Sequence, residues 1–475
     1  MNSKGNEMEL PIEDSKPEAY TTIMSRTDSY RSEREFSPLL KDARLSTSEE
    51  DGFIPSSAAA GTKRKGFCGS FWRRKPQSHR ATCLNKKNCL ICGCAFLVPI
   101  VSFIIFCAVY FSAAPLPAIP VNPVSLMEKN ATATTAPRIL TFNMFMRPPG
   151  IKNNKNDFKN ERLDFIVQNI LPAYDIITVQ EAFAYANRRI DRFLAAAFKQ
   201  GFYYQVASSR HYPWDLAGDG GLLILSKYPI QKSDRIEFPR GVHSDWLSFK
   251  GALHALVEID STHSVHVYTT HTQASYDNNG AINFDDTKVR LSQFAAVHQF
   301  IADTAKEDSH PILLMGDLNV DAAAHDTDID VPSRNSSLAY TMMMDVLIGK
   351  GTNLQLLVND KNVSTVENKT SYEDDWHLDG LTDMAYKSFG YHPVTFGDYK
   401  KLDNGTLIPA ETILTSHNQL MTVQSIDRLL WYGKNDTRMS VSHVVVENFF
   451  TKNDTTLPFT QISDHYGLSA VLECN

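Results

Sequence analysis

The stretch QISDHYGLSAVLE, residues 461–473, closes the chain and carries the pattern from which the fold can be inferred. Apolar residues alternate over most of it, which predicts a β-strand with one face in a core. Asp464 and His465 stand side by side at its beginning. An adjacent acid and base there indicate either the solvated entrance of a strand or part of a site at a sheet edge. The rest of the chain has to distinguish the two.

The composition of the 475-residue chain is that of a globular protein, and its net charge of −7 argues against a bulk nucleic-acid binder. Residues 1–88 differ from the rest, because most of this stretch is poor in apolar residues and rich in Ser, Glu, Asp and Lys. Such a segment cannot bury enough apolar surface to offset the entropy of ordering it. We expect residues 1–88 to form a disordered cytosolic tail.

A run without a charged residue, CLICGCAFLVPIVSFIIFCAVYFSAA, follows at 89–114. A bilayer core needs about 20 apolar residues in a helix, so this run is long enough to span it even with Pro99 inside. The run lies too far from the N-terminus for a cleaved signal peptide. We predict a transmembrane signal anchor here, with a buried core helix as the alternative.

Two independent patterns orient this anchor. Lys and Arg are concentrated on its N-terminal side and nearly absent from its C-terminal flank, which places the tail in the cytosol. Every glycosylation sequon follows the anchor, and the sequons begin at Asn130, Asn335, Asn362, Asn368, Asn404, Asn435 and Asn453. The patterns predict a single-pass type II membrane protein whose large domain lies outside the cytosol, at the plasma membrane or in the endolysosomal system.

The Pro-, Ala- and Thr-rich residues 115–137 are expected to form a linker that lifts the domain off the bilayer. Residues 138–475 have the length of one large α/β domain. Cys474 is the only cysteine in that domain, so an internal disulfide is impossible. The domain must therefore be stabilised by its core.

Strand-like runs recur in this domain, and several carry polar residues at an end that a strand does not need. They are RILTFNMF with Asn143, YDIITVQEAF with Glu181, DGGLLILSKYPI after Asp219, SVHVYTTHTQASY with His271, PILLMGDLNVD with Asp317 and Asn319, and QSIDRLLWYG with Asp427. Each residue alone has a structural explanation in a cap or a turn. Together they indicate one site at the edge of stacked sheets. Carboxylate and amide oxygens there suit Mg²⁺, with Mn²⁺ also possible, and two histidines suit phosphate chemistry.

These strand ends, in this order, resemble the endonuclease/exonuclease/phosphatase superfamily, which has the DNase I-like fold. The most diagnostic strings are GDLN at 316–319 and SDH at 463–465. The resemblance implies an α/β fold over 138–475, a four-layer sandwich of two packed mixed β-sheets flanked by helices. Four further strings, SKYPI, KGAL, HTQASY and SDHYGL, are similar to neutral sphingomyelinases, including the bacterial secreted ones.

The resemblance also implies a role for each residue of the metal and phosphate sites. Glu181 would bind the metal, and Asn143 would complete that site. Asn319 would contact a phosphate oxygen. Asp317 would position the nucleophile or a second cation.

The remaining implied roles concern proton transfer. His465 would be the general base on the attacking water, and Asp427 would orient it and favour its charged form. His271 would stabilise or protonate the opposite side of the phosphorus, with Asp219 as its possible partner. Asp464 would help to hold metal or water.

Two segments depart from the family pattern. The acidic string SYEDDWHLDG lies in an insertion-like region between Asn319 and Asp427, and we expect a solvated loop there, with a cation site as the alternative. Bacterial sphingomyelinases carry an aromatic hairpin before the terminal SDH that inserts into bilayers. Phe449 and Phe450 occupy the corresponding place, although a glycan on Asn453 would oppose insertion.

The function implied by these patterns is Mg²⁺-dependent hydrolysis of sphingomyelin to ceramide and phosphocholine at the non-cytosolic membrane face. A membrane-anchored ectonuclease of the same fold is one alternative, although the acidic net charge gives it no support. A non-catalytic receptor or adhesion domain is an alternative of another class. The retention of every polar strand end argues against that second alternative.

Overall fold

The computed structural model of the protein describes residues 86–120, 136–276, 283–326, 328–329, 331–358, 369–434, 436–451 and 456–474. Most of the predicted tail and linker lie outside these residues. Five of the sequon asparagines do so as well, Asn130, Asn362, Asn368, Asn435 and Asn453. The other two, Asn335 and Asn404, are described and exposed, as glycosylation requires.

The predicted anchor contains helix α1 (Lys86–Tyr110), which has Pro99 inside it. The large apolar side chains described between Leu97 and Phe106 are all exposed. Within the part of the chain that the structure describes, the search for a helix long and apolar enough to cross a bilayer finds none. The membrane-spanning role of 89–114 therefore stays a prediction.

Eighteen strands and five α-helices follow α1 among the described residues. The strands, in chain order, are β1 (Arg138–Met146), β2 (Ile176–Ala182), β3 (Tyr204–Ala207), β4 (Leu223–Ser226), β5 (Ile230–Glu237), β6 (Gly251–Glu258), β7 (Ser264–His271), β8 (Ile312–Asp317), β9 (Lys350–Asn353), β10 (Thr370–Glu373), β11 (Thr382–Asp383), β12 (Phe396–Gly397), β13 (Tyr399–Lys401), β14 (Leu407–Pro409), β15 (Val423–Gln424), β16 (Asp427–Tyr432), β17 (Met439–Glu447) and β18 (Gly467–Cys474). The helices are α2 (Lys159–Phe165), α3 (Arg189–Lys199), α4 (Phe284–Ala305), α5 (Leu338–Ile348) and α6 (Met384–Phe389).

Two six-stranded sheets dominate the domain. The first has the order β17-β18-β1-β2-β4-β3, and the second has the order β11-β16-β8-β7-β6-β5. Each contains one parallel pair, β1 with β2 and β7 with β8, among antiparallel ones. The prediction of two mixed sheets is confirmed.

Helices cover the outer face of each sheet. Leu163 of α2 and Phe193 of α3 share a buried cluster with the outward residues of β1 and β2. Phe294 of α4 and Val346 of α5 share another with outward residues of β7 and β8. A third cluster fills the space between the sheets. The predicted four-layer sandwich is therefore the observed one.

The space between the sheets changes character along the strands. Alternation points every second residue inward, and these residues are apolar at one end and polar at the other. They are Ile139, Thr141 and Asn143 on β1, Val267, Thr269 and His271 on β7, and Leu313, Met315 and Asp317 on β8. The apolar end drives packing of the sheets, and the polar end opens at one edge.

The last strand begins later than its alternation predicts. It starts at Gly467, so Asp464 and His465 precede it instead of lying on it. The Ser463 hydroxyl donates to the Asn143 carbonyl oxygen (2.6 Å) and accepts from the His465 amide (3.2 Å). These side-chain hydrogen bonds replace the strand ladder there. A bend, and not strand alternation, therefore separates the acid from the base.

The insertion-like region adds α5, β9–β11 and α6 to the second sheet's side of the domain. Within SYEDDWHLDG, Leu378 is buried in the cluster around α4 and α5, and Trp376 packs against it. The acidic residues Glu373, Asp375 and Asp379 are exposed. The expected solvated acidic loop is present, and it is anchored by two apolar side chains.

Candidate active site

Three polar residues are brought side by side by strand register. His271 on β7 is paired with Asp317 on β8, and Asp317 is paired with Asp427 on β16. Gly316 makes the close approach of β8 to β7 possible, because a Cβ at this position, where φ is 146°, would collide with the Thr270 carbonyl oxygen. The glycine of the GDLN string is therefore needed to align the site.

The first sheet reaches this row through Asn143. Its amide nitrogen donates to Asp317 Oδ2 (3.0 Å) across the two sheets and to Glu181 Oε1 (3.2 Å) on the neighbouring strand. Its amide oxygen accepts from the Phe145 backbone N–H, so the orientation of the amide is fixed. Below it, Gln180 Nε2 donates to Thr269 Oγ1 (2.9 Å), a second polar bridge between the sheets.

His465 lies between two carboxylates. Its Nδ1 is 3.0 Å from Asp427 Oδ2, and its Nε2 is 3.8 Å from Asp317 Oδ2. Burial lowers the pKa of His465, but the charges of Asp427 and Asp317 and the Asp427 hydrogen bond raise it to about 10. The predicted pairing of His465 with Asp427, and its preference for the charged form, are present in the structure.

His271 is held by a lysine that the sequence patterns did not identify. Lys250 Nζ donates to His271 Nε2 (3.1 Å), to the Thr272 carbonyl oxygen (2.7 Å) and to Asp245 Oδ2 (2.8 Å). Because an ammonium group can only donate, His271 accepts at Nε2 and carries its proton on Nδ1. Burial, the Lys250 charge and His465 hold the pKa of His271 well below its usual value, so the ring is neutral.

The predicted pairing of His271 with Asp219 is wrong. Asp219 is buried and accepts from the backbone N–H groups of Ala184 and Gly221, each at 3.0 Å. Burial raises the pKa of its carboxyl group. Asp219 fixes the turn that follows Glu181, and it acts on the site through that turn.

Asp317 connects the two histidines. Its Oδ2 lies 3.6 Å from His271 Nε2 and 3.8 Å from His465 Nε2, and its Oδ1 accepts from the Asn319 backbone N–H. Burial and the neighbouring Asp427 raise the pKa of Asp317, and His465 and Asn143 oppose that rise. Asn319, at φ 49°, donates one amide N–H to the Thr272 carbonyl oxygen at 3.0 Å.

Glu181 and Asp464 are suited to hold a cation. Glu181 has a φ of 53°, a conformation that a non-glycine residue adopts at a cost, and its buried Oε2 has no hydrogen-bond partner among the described residues. Burial raises the pKa of Asp464 to about 7, and the charge of Glu181 adds to this effect. Two neighbouring carboxylates that disfavour each other's charge, one of them with an oxygen that lacks a donor among the described residues, fit a divalent cation, which would neutralise both.

A second group of residues satisfies a simple geometric criterion for metal binding. Asp317, Asp427 and His465 offer ligand atoms within 4.8 Å of one another, a grouping found nowhere else among the described residues. The acidic string 371–380 therefore forms no such cluster within that part of the chain. Because His465 Nδ1 already bonds Asp427, we assign this trio to proton transfer and the Glu181 side to the cation.

A segment of the insertion supports the base. The Thr395 hydroxyl accepts from the backbone N–H groups of Ile426 and Asp427, each at 3.0 Å. The backbone carbonyl oxygen of Thr395 accepts from the Tyr466 N–H (2.7 Å). The Phe396 ring lies 4.8 Å from the His465 ring. Thr395 and Phe396 are distant in sequence from every predicted site residue, so no local pattern could identify them.

The two phenylalanines expected to touch a membrane pack within the domain. Phe449 meets Phe142 edge-on at 5.7 Å, and Phe450 contacts Tyr466 and lies beneath Lys400. Both are partly buried. The membrane role predicted for Phe449 and Phe450 is therefore not supported by their contacts.

The chain is similar to known proteins in sequence and in fold. The model of the Endonuclease/Exonuclease/phosphatase family matches residues 140–465. A sphingomyelinase of Dictyostelium discoideum is 27% identical over 71% of this chain and 99% of its own length. Sphingomyelinase C of Leptospira interrogans is 30% identical over 44% of this chain and 38% of its own length. Among solved structures, beta toxin of Staphylococcus aureus with bound magnesium ions superposes with a TM-score of 0.46 at 20% identity, covering 70% of this chain and 99% of the toxin.

Replacing Lys250 tests the assignment of His271 as a neutral ring. In Lys250→Met the ring loses a neighbouring positive charge, so the pKa of His271 should rise although burial still holds it below its usual value. Histidine-selective ¹³C labelling, with the resonance assigned through His271→Gln, would follow this titration. Lys232→Met, on an exposed strand position, is the matched control and should leave it unchanged. An unmoved His271 titration in Lys250→Met would contradict the assignment.

Proposed function

The chain belongs to the Endonuclease/Exonuclease/phosphatase family, and we propose that it is a Mg²⁺-dependent phosphodiesterase that hydrolyses sphingomyelin to ceramide and phosphocholine. The observation that carries the proposal is the pair of histidines on either side of Asp317. They differ in proton affinity, because carboxylates surround His465 and a lysine touches His271. A site of this kind can accept a proton at one point and donate a hydrogen bond at another.

His465 is the general base of the proposed reaction. Its Nδ1–H donates to Asp427, which fixes the ring so that Nε2 faces the space beside Asp317. In its neutral form Nε2 takes a proton from water while that water's oxygen bonds to phosphorus. The bond from phosphorus to the ceramide oxygen breaks, and the ceramide alkoxide takes a proton from solvent water. Asp427 stabilises the imidazolium that results.

His271 stabilises charge in this reaction and does not supply a proton. A neutral imidazole that gave up its Nδ1 proton would become an anion, and Lys250 holds the ring in its neutral form. The Nδ1–H is buried and has no partner among the described residues, so it is free to donate to an oxygen of the phosphate. Of the two roles that the sequence implied for His271, stabilisation is the one that fits.

The cation would be held by Glu181 and Asp464, with Asn143 orienting Glu181 through its amide. When bound, Mg²⁺ would polarise a phosphate oxygen and offset the negative charge of the transition state. Support for this cation comes from the unpaired Glu181 Oε2 and from the burial of Asp464. Both residues are oxygen donors, which Mg²⁺ and Mn²⁺ prefer.

Sphingomyelin is proposed as the substrate because relatives named as sphingomyelinases match 71% and 44% of this chain. The net charge of −7 favours a lipid over a nucleic acid, since nucleic-acid affinity depends on neutralising phosphates with Lys and Arg. The apolar, exposed surface of α1 is consistent with attachment of the chain to a bilayer.

A substrate panel with a metal-site variant tests the proposed activity. The full-length protein should release phosphocholine from sphingomyelin in Mg²⁺, release far less from phosphatidylcholine, leave DNA intact, and lose activity in EDTA. Glu181→Gln keeps the shape of the side chain and removes its charge, so it should stay folded and lose its response to Mg²⁺. Glu258→Gln, at the far end of β6, is the control. DNA cleavage would favour the ectonuclease, and turnover of no substrate would favour a binding domain.

The pH dependence of kcat tests the base. Because His465 must be neutral to accept a proton, activity should rise with pH through its pKa, on a limb above the ordinary value near 6.5. Asp427→Asn removes a carboxylate that raises this pKa, so the limb should move to lower pH and kcat should fall. His465→Ala should lower kcat by about 10²–10⁴-fold, and its effect should not add to that of Asp427→Asn.

The exposed His443 provides the control for this series, because its side chain is 77% exposed and touches none of the site residues. His443→Ala should leave both kcat and the pH profile unchanged. Folded His465→Ala protein with full activity would rule out the proposed base.

We further propose type II topology, with the tail in the cytosol and the domain at the plasma membrane or in the endolysosomal system. The charge bias and the sequons support it, and Asn335 and Asn404 are exposed. Glycosidase treatment of the purified protein should lower its apparent mass, and Asn335→Gln with Asn404→Gln should remove part of that change. A protein that carries no glycan and whose C-terminus is digested only from the cytosolic side would contradict this topology.

A further inference from the structure

Four large apolar side chains stand exposed on one surface beside the site. They lie on or next to two short 3₁₀ helices, Pro213–Asp215 and His243–Leu247. The exposed fractions are 53% for Trp214, 66% for Leu216, 46% for Trp246 and 54% for Leu247. Exposed single residues are common, but four neighbouring ones that include two tryptophans indicate a contact surface. We call these four residues the interfacial patch.

The two halves of the interfacial patch are joined into one rigid surface. The Arg240 guanidinium donates to the carbonyl oxygens of Asp215 and Trp246, each at 2.7 Å, and stacks on the Trp246 ring. Gly218 N donates to the Leu247 carbonyl oxygen (2.9 Å). The backbone around the patch is therefore fixed, and the apolar side chains project from it.

One member of the interfacial patch adopts a costly backbone conformation. Leu216 has a φ of 56°, in the left-handed region that glycine favours, and its side chain is the most exposed of the four. No core contact compensates for that conformation. A conformational cost of this kind, held in place by the neighbouring hydrogen bonds, is typical of functional surfaces.

The interfacial patch continues from the end of α1. Tyr212 stacks on Trp214 with ring centroids 4.8 Å apart, and its hydroxyl is 3.3 Å from Ser112 Oγ. Arg188 donates to the carbonyl oxygens of Val109 and Ser112, each at 2.8 Å. The end of α1 thus rests on the domain beside the patch. Tyr212 therefore connects Trp214 of the patch to the end of α1.

The interfacial patch is also connected to the site. Asp245, at the middle of the second 3₁₀ helix, His243–Leu247, accepts from Lys250 Nζ (2.8 Å) and from Ala274 N (2.6 Å). Lys250 in turn holds His271. Asp245, the residue before Trp246, therefore belongs to the hydrogen-bond network that fixes His271.

We propose that the interfacial patch docks the domain onto the headgroup region of a phospholipid bilayer and thereby places the site against its lipid substrate. Tryptophan beside arginine is the composition of a bilayer–water interface, because each has an apolar body and a polar group. An exposed apolar helix, whose large side chains are uncovered, needs an apolar medium, and the end of that helix lies beside Tyr212 and Trp214. A bilayer meets both requirements with one partner. The proposal rests on the proposed function for its substrate class.

Activity on two forms of substrate tests this docking in the full-length protein. Leu216→Ser with Leu247→Ser should lower the hydrolysis of sphingomyelin in phosphatidylcholine vesicles about tenfold, the order expected for losing buried leucine contacts. Hydrolysis of a short-chain sphingomyelin that is dispersed as monomers should be unchanged. Leu356→Ser with Leu402→Ser replaces two exposed leucines outside the patch and should affect neither. Equal losses on both substrates, or no loss on vesicles, would overturn the proposal.

Tryptophan fluorescence tests the docking without hydrolysis. In vesicles of phosphatidylcholine brominated on its acyl chains, quenching should fall when both Trp214 and Trp246 are replaced by Phe. Trp376→Phe, which alters a ring packed on His298, should leave quenching unchanged. Quenching that is the same in the double variant would overturn the proposal. If the wild type hydrolyses no sphingomyelin and the quenching still falls, the proposed function fails and the docking surface stands.

Discussion

The buried carboxylate of Asp317 is the group on which the site depends. It lies on the second sheet, is bonded by Asn143 of the first, and has a histidine on either side. A buried charge is tolerated only where polar groups surround it, and removing one partner of such a group costs about 3–5 kcal/mol. The two sheets must therefore meet in one register at this edge. The apolar residues at the other end supply the packing energy for that arrangement.

A buried arginine side chain stabilises the irregular backbone at this edge of the sheets. Phe145, Glu181 and Asn319 all have positive φ values where the strands end. Arg162, fully buried, donates to the carbonyl oxygens of Met144, Phe145 and Ile462, which fixes the end of β1 to the segment before His465. These bonds satisfy carbonyl groups that an irregular backbone would otherwise leave without partners. The hydrogen bonds of Arg162 thus help to hold the site in its unusual backbone conformations.

The sequence predicts the parts of the site that strand periodicity controls. Asn143, His271, Asp317 and Asp427 could be identified because each is a polar residue near one end of an apolar strand-like run and alternation sends it inward. Periodicity has no information on contacts between a strand and a loop, so Lys250 was not assigned to the site. The partner that the resemblance implied for His271, Asp219, bonds backbone N–H groups instead. Periodicity also extended the last strand over Asp464 and His465, because the hydrogen bonds of Ser463 that bend the chain there depend on tertiary contact with Asn143. The fold and the partner of His465 could be predicted, but the partner of His271 could not.

The position of α1 bears on how such a site could reach a lipid. A phosphodiester in a bilayer lies at the depth of the headgroups, so an enzyme that hydrolyses it in place must hold its site at that depth. A flexible linker alone would leave the distance between domain and bilayer variable. In this chain the end of α1 contacts the domain directly, with Phe111 packed on Tyr185 and Arg188 bonded to its last carbonyls. That contact surface directly follows Glu181 in sequence. The segment that carries the proposed metal ligand Glu181 therefore also contacts the helix. The position of the site relative to the helix is fixed through this one short segment.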